Sequence, residues 1–86
     1  MKLDEHFMRL IAIGASVAAN CEQCLEINLA RAIECGADDD ELAQAIWVGR
    51  MVRKGAASNL DKFAADQVKL ARNSATSAVE QCNCES

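Results

Sequence analysis

Cys21 and Cys24 stand three residues apart in the run Asn20-Cys21-Glu22-Gln23-Cys24. That spacing lets two thiols close a disulfide and reopen it. The pair falls at the first turn of a predicted helix, where unpaired backbone N–H groups and the helix dipole favour the thiolate. The thiolate is the nucleophile, and a neighbouring thiol turns an oxidised sulfur into a disulfide before it over-oxidises. Positions 21, 24 and 28 recur at i, i+3 and i+7, so Cys21, Cys24 and Asn28 share one helix face. Taken alone, the pair fits a redox couple, half of a zinc site, or two packed cysteines. Cys82 and Cys84 form a second pair near the C-terminus. They suit passing electrons to an outside partner, or completing a tetrahedral set of four thiolates with Cys21 and Cys24. A tail without a role is the plain alternative. Cys35 precedes a glycine at a helix end and reads as a small buried hydrophobe.

Four helices are predicted to position these groups. The first runs from about Asp4 to Ala19, with Phe7, Leu10, Ile11, Gly14, Val17 and Ala18 as its apolar stripe. Gly14 in that stripe marks a close helix crossing or is a glycine merely tolerated there. The second runs from about Cys21 to Cys35, with Asn20 as its N-cap, Leu25, Leu29, Ala32 and Ile33 inward, and Gly36 as its terminator. The third opens on Asp38 with Glu41 three residues on, a capping-box arrangement, and carries Leu42, Ala45, Ile46, Gly49 and Val52 inward. The acidic run 38–41 is therefore read as helix-start chemistry and not as a cation site. Arg50, Arg53 and Lys54 fill the last turn of that helix, and Gly55 closes it. Ser58 or Asn59 caps a fourth helix, from about Leu60 to Arg72, with Leu60, Phe63, Ala64, Val68 and Ala71 as its stripe. The division is a helical domain over 1–72 and a polar, cysteine-containing tail over 73–86, either a weak helix extension or a loose end.

Composition sets the class. Of 86 residues, 51% are apolar, but 16 are alanine; proline is absent and the aromatics are Phe7, Trp47 and Phe63. This is an all-α composition. An alanine-rich chain of this size has a marginal core, so self-association is expected to supply further burial. A net charge of −4 argues against nucleic acid and anionic membrane surfaces as partners. No apolar stretch reaches the roughly 20 residues of a membrane span. Leu10–Ala19 lacks a basic flank and is not read as a signal peptide, so the expected location is the cytoplasm.

The stretch Leu10–Phe63 resembles the AhpD-like (alkylhydroperoxidase, carboxymuconolactone decarboxylase) family. The resemblance rests on an apolar helix leading into Asn-Cys-x-x-Cys, then Leu29-Ala30-Arg31-Ala32, Cys35-Gly36-Ala37 and the segment Asp38–Ile46. It implies an all-α bundle of about four to five helices assembled as a homo-oligomer, a trimer or hexamer, with the cysteine pair near a subunit interface. It also implies a thiol-dependent oxidoreductase of the alkylhydroperoxidase or peroxiredoxin type, or a disulfide exchanger, served by a thiol reductant and needing no organic cofactor. The family motif is Cys-x-x-Cys-x-x-x-His with a glutamate twelve residues before the first cysteine. Here those two positions hold Asn28 and Arg9. An amide orients a partner but does not titrate, and arginine accepts no proton. The resemblance assigns peroxide attack to Cys24 and resolution to Cys21. Helix-terminus physics instead makes Cys21 the more exposed and more acidic thiol, favoured for disulfide exchange. A metal-binding module and a non-catalytic oligomeric scaffold are the rival functions.

The remaining polar groups have structural readings. His6, the one histidine, is a partly exposed helix-start residue, or a substitute base given to another subunit. Glu22 and Glu26 are solvated helix charges. Trp47 and Met51 are packing or oligomer-contact residues.

Overall fold

The computed structural model describes residues 2–74. Three helices follow one another among them: α1 (Glu5–Ala18), α2 (Glu22–Glu34) and α3 (Asp39–Asn73). The all-α class is as expected, with fewer helices than the four or five anticipated. Cys82 and Cys84 lie outside the described residues. The chain divides between Ala56 and Ala57 into two compact units.

In the first unit each helix end is built by a short polar device. Asp4 caps α1, its Oδ1 accepting from the Phe7 N–H at 3.0 Å. The α1 end is a Schellman turn: Cys21 N–H donates to the Ser16 carbonyl and Asn20 N–H to the Val17 carbonyl. Such a turn needs one left-handed residue, and Asn20 supplies it at φ 57°. Asn20 is thus the terminator of α1 and not the N-cap of α2. The cap is Cys21, whose Sγ accepts from the Cys24 N–H at 3.2 Å. The α2 end repeats the turn with Gly36 at φ 93°, Gly36 N–H bonding Ile33 O and Ala37 N–H bonding Ala32 O. The capping box at α3 forms as expected: Glu41 N–H donates to Asp38 Oδ1 at 2.8 Å, and Asp38 N–H to Glu41 Oε1 at 3.0 Å.

The core of this unit is small. Ile13, Val17 and Ala32 are buried, and Ser16 beside them satisfies its hydroxyl on the Ala12 carbonyl. Two of the six residues of the expected α1 stripe face outward, Phe7 and Ile11 being 55% and 59% exposed, while Gly14 and Val17 are buried as expected. The buried side of α1 runs one step round the helix, through Ile13, Ser16 and Val17, where polar His6, Arg9 and Ser16 hid it from an apolar count.

Of the two readings of Gly14, the close helix crossing is the one that holds. A Cβ at Gly14 would stand 3.2 Å from the Ala45 carbonyl oxygen; one at Gly49 would stand 2.7 Å from Val17 Cβ. The α1 and α3 backbones meet there. Gly49→Ala is expected to lower stability by about 2 kcal/mol, overpacking outweighing the gain in helix propensity. Gly55→Ala is expected to raise it by about 0.5–1 kcal/mol, because a Cβ there meets nothing within 4 Å. Urea denaturation of both variants checks the pair, and equal effects at the two sites would contradict the crossing.

The break expected at Gly55 does not occur. α3 passes through Gly55, Ser58 and Asn59, so neither Ser58 nor Asn59 is a cap, and Arg50, Arg53 and Lys54 sit mid-helix. Gly55 does not take a positive φ. With no proline and helix formers on both sides, one glycine costs only about 1 kcal/mol, less than abandoning the ladder. In the second unit, Leu60, Phe63 and Val68 of α3 are exposed, so that stripe is not a core face. The Ser74 N–H and hydroxyl cap Leu70 O.

His6 clamps three elements of the first unit. Its Nε2 lies 3.0 Å from Glu41 Oε2 and its Nδ1 3.2 Å from the Cys35 carbonyl. Both partners are acceptors, so the doubly protonated ring satisfies both contacts. The Glu41 hydrogen bond first, and the Cys35 carbonyl second, raise the His6 pKa above its ordinary value of 6.5. A raised folded value gives stability that is complete below about pH 6.5 and fades as pH rises through the folded value. His6→Gln is therefore expected to lower the melting temperature more at about pH 5.5 than at about pH 8.5. A loss independent of pH would contradict the charged clamp.

Candidate functional site

The site sits where α1 ends and α2 begins. Cys21 and Cys24 are joined as a disulfide, their Cα atoms 5.3 Å apart. Cys21 is half-buried against the α1 end, and Cys24 is exposed on the first turn of α2. This reverses the exposure expected from helix position. The Schellman turn folds Cys21 back under α1, while Cys24 points off the outer side of the turn. The Cys21 sulfur takes the Cys24 N–H, and a thiolate accepts such a bond more strongly than a neutral sulfur.

Asn28 lies on the face of the pair. Its Nδ2 donates to the Cys24 carbonyl at 2.8 Å, and its Oδ1 accepts from Arg9 Nη1 at 3.0 Å. Arg9 Nε is held in turn by Glu5 Oε2 at 2.9 Å. So the two positions that carry glutamate and histidine in the AhpD-like motif are in direct contact, occupied by arginine and asparagine. The amide is tied to backbone on one side and to arginine on the other, and neither group moves a proton at neutral pH. Sequence reasoning named both residues and did not foresee their bond. The Glu5-x-x-x-Arg9 pair one helical turn apart was the available signal for how Arg9 is held.

The other candidates are dispersed. His6 is committed to Glu41 and Cys35, and Cys35 is a half-buried free thiol at the α2 C-cap. Glu26, Trp47 and Met51 are exposed. No group of three potential metal ligands occurs among the described residues. The four-thiolate set cannot be assembled from them, since two of its members lie outside. No helix among the described residues is long and apolar enough to cross a membrane.

Two open clefts mark the first unit, and one of them reaches the cysteine pair. One, of about 380 Å³, is lined by Cys21, Glu22, Arg50 and Arg53 over Val17 and Ile46. The other, of about 560 Å³, is an apolar groove between α1 and α3 that holds Phe7, Ile11, Val48 and Val52.

The fold and the pair define a small helical protein with a Cys-x-x-Cys disulfide at a helix start. The family model for carboxymuconolactone decarboxylases matches residues 1–67, and the chain belongs to that family. It is also similar to "Uncharacterized protein 4 in cox locus" of Paracoccus denitrificans, 34% identical over 55 residues, 64% of this chain and 50% of that protein. The chain thus spans about half the length of this curated relative. No solved structure matches.

Proposed function

We propose that this chain is a thiol-dependent oxidoreductase that cycles Cys21 and Cys24 between dithiol and disulfide, with disulfide exchange as its main chemistry. The observation that carries the reading is the Cys21–Cys24 disulfide at the surface of the first α2 turn, beside an Arg9–Asn28 bond where a proton relay would stand. Leaving-group chemistry decides between the two activities of the resemblance. In exchange, the departing group is a thiolate with a pKa near about 8.5, which leaves without a general acid. In peroxide reduction it is hydroxide or alkoxide, a far stronger base than a thiolate and so a far poorer leaving group, so a proton donor matters. Asn28 and Arg9 donate none. Cys24 remains the sulfur for slow peroxide attack. Cys21, lining the polar cleft, is the sulfur for exchange.

The working form is a homo-oligomer. The apolar groove with Phe7, Ile11, Val48 and Val52 is left open in one chain, and the buried core beside it amounts to Ile13, Val17 and Ala32. A second copy, building a trimer or hexamer, would supply the missing burial.

The test is turnover of a small disulfide and of hydrogen peroxide by the intact protein under one dithiol reductant, with mass measured by light scattering. Fast disulfide turnover, slow peroxide turnover and a mass several times that of one chain are expected. No disulfide turnover would overturn the reading.

A further inference from the structure

We propose that the cleft at Cys21 binds small thiols and disulfides that carry a carboxylate, with Arg50 and Arg53 as the residues that hold it. This rests on the thiol–disulfide reading above and names the substrate class of that same site.

The cleft brings three kinds of group together. Cys21 supplies the reacting sulfur on one wall. Arg50 and Arg53, one turn apart on α3, supply two guanidiniums on another, and Val17, Leu25 and Ile46 provide an apolar floor. Glu22 is the one carboxylate on the wall, so the cleft is net positive on a chain of net charge −4. Arg53 is already positioned: its Nη1 donates to the Val17 carbonyl at 3.3 Å and to Asn20 Oδ1 at 3.1 Å. That uses two of five guanidinium donors and leaves three for a ligand. Neither arginine belongs to an ion pair among the described residues. Mid-helix placement explains why the pair can serve a ligand: α3 continues past them, so they do not face its C-terminal carbonyls. A carboxylate is the group that a guanidinium fork matches in shape as well as in charge.

The step balances without a further reagent. The thiolate of the anionic thiol attacks Cys21 Sγ, the Cys21–Cys24 bond breaks, and Cys24 leaves as a thiolate. A second molecule of the thiol attacks the sulfur of the first in the mixed disulfide, releasing the small disulfide and the Cys21 thiolate. Two thiols are oxidised, the protein disulfide is reduced by two electrons, and the two thiol protons end on Cys21 and Cys24 or in solvent.

The experiment compares 3-mercaptopropionate with 2-mercaptoethanol as reductants of the oxidised full-length protein. Loss of the Cys21–Cys24 disulfide is followed by acid quench, alkylation and mass spectrometry, with rate constants expressed per thiolate. On a net-negative chain the extra charge should slow 3-mercaptopropionate. The cleft instead predicts that it is faster by about tenfold, an advantage that salt removes. Because Arg53 also ties down the α1 end, Arg50 carries the test. Arg50→Gln should bring the ratio of the two rate constants close to one, and Arg50→Glu should invert it. Equal rates in the natural protein, or a ratio that Arg50→Glu does not move, would overturn the arginine assignment and leave the redox reading standing. A disulfide that neither thiol reduces would overturn both.

Discussion

Replacing Arg9 by glutamate together with Asn28 by histidine is expected to raise the rate of hydrogen peroxide reduction by about 100- to 10,000-fold. The two positions already touch through the Arg9 Nη1–Asn28 Oδ1 bond of 3.0 Å. A glutamate and a histidine there form a pair of the same reach, with the imidazole on the face of Cys24. Peroxide reduction by a thiolate creates hydroxide, and an imidazolium nearby supplies its proton. Each single replacement is expected to gain less. Histidine at 28 next to Arg9 is held neutral by the adjacent positive charge, and glutamate at 9 next to Asn28 has nothing to protonate. Steady-state peroxide consumption by the three variants checks this. A double variant that still forms its disulfide and stays at the parent rate would contradict the relay argument. Disulfide turnover should change far less, since its leaving group needs no acid.

Cys24→Ser and Cys21→Ser are each expected to lower disulfide turnover by about a thousandfold or more, because the two sulfurs act as one unit. The variants should fail in different ways. With Cys24→Ser, Cys21 still attacks a small disulfide and releases one equivalent of thiol, then is held as a mixed disulfide that only a second external thiol can open. With Cys21→Ser, the serine hydroxyl takes over the N-cap bond from the residue 24 N–H, so α2 keeps its start. Loss of turnover there reads out the missing sulfur and not a frayed helix. Mass spectrometry of the two variants after exposure to a small disulfide separates the outcomes. Full turnover in either would remove Cys21–Cys24 from the mechanism.

The capping box Asp38–Glu41 and the terminator Gly36 were legible because each is local: the residues that make the bonds are within three to five positions. The cysteine pair was legible for the same reason. Asn20 was misassigned because asparagine serves both as an N-cap and as a left-handed terminator, and the choice turned on the Cys21 N–H reaching back to Ser16 O. The long α3 was missed because Gly55 was read as a stop, although a glycine ends a helix only when it takes a left-handed φ. In α1, the apolar stripe marked only part of the buried face, at Gly14 and Val17, and missed Ile13 and Ser16. Ile13 is fully buried on a side shared with His6 and Arg9, whose polar contacts are made to α2 and α3. Those contacts join residues 19 to 35 positions apart, beyond the reach of periodicity. The Arg50–Arg53 cleft was hidden too, since its meaning depends on Cys21, some thirty residues away, forming its other wall.

The most direct test of the central claim is thiol trapping of the fully reduced protein after one equivalent of a small disulfide, with peptide mapping of each cysteine. The account predicts rapid formation of a Cys21–Cys24 disulfide, its return to free thiols with dithiothreitol, and Cys35 left free throughout. Thiols that stay reduced, or that oxidise without preference for Cys21 and Cys24, would contradict it.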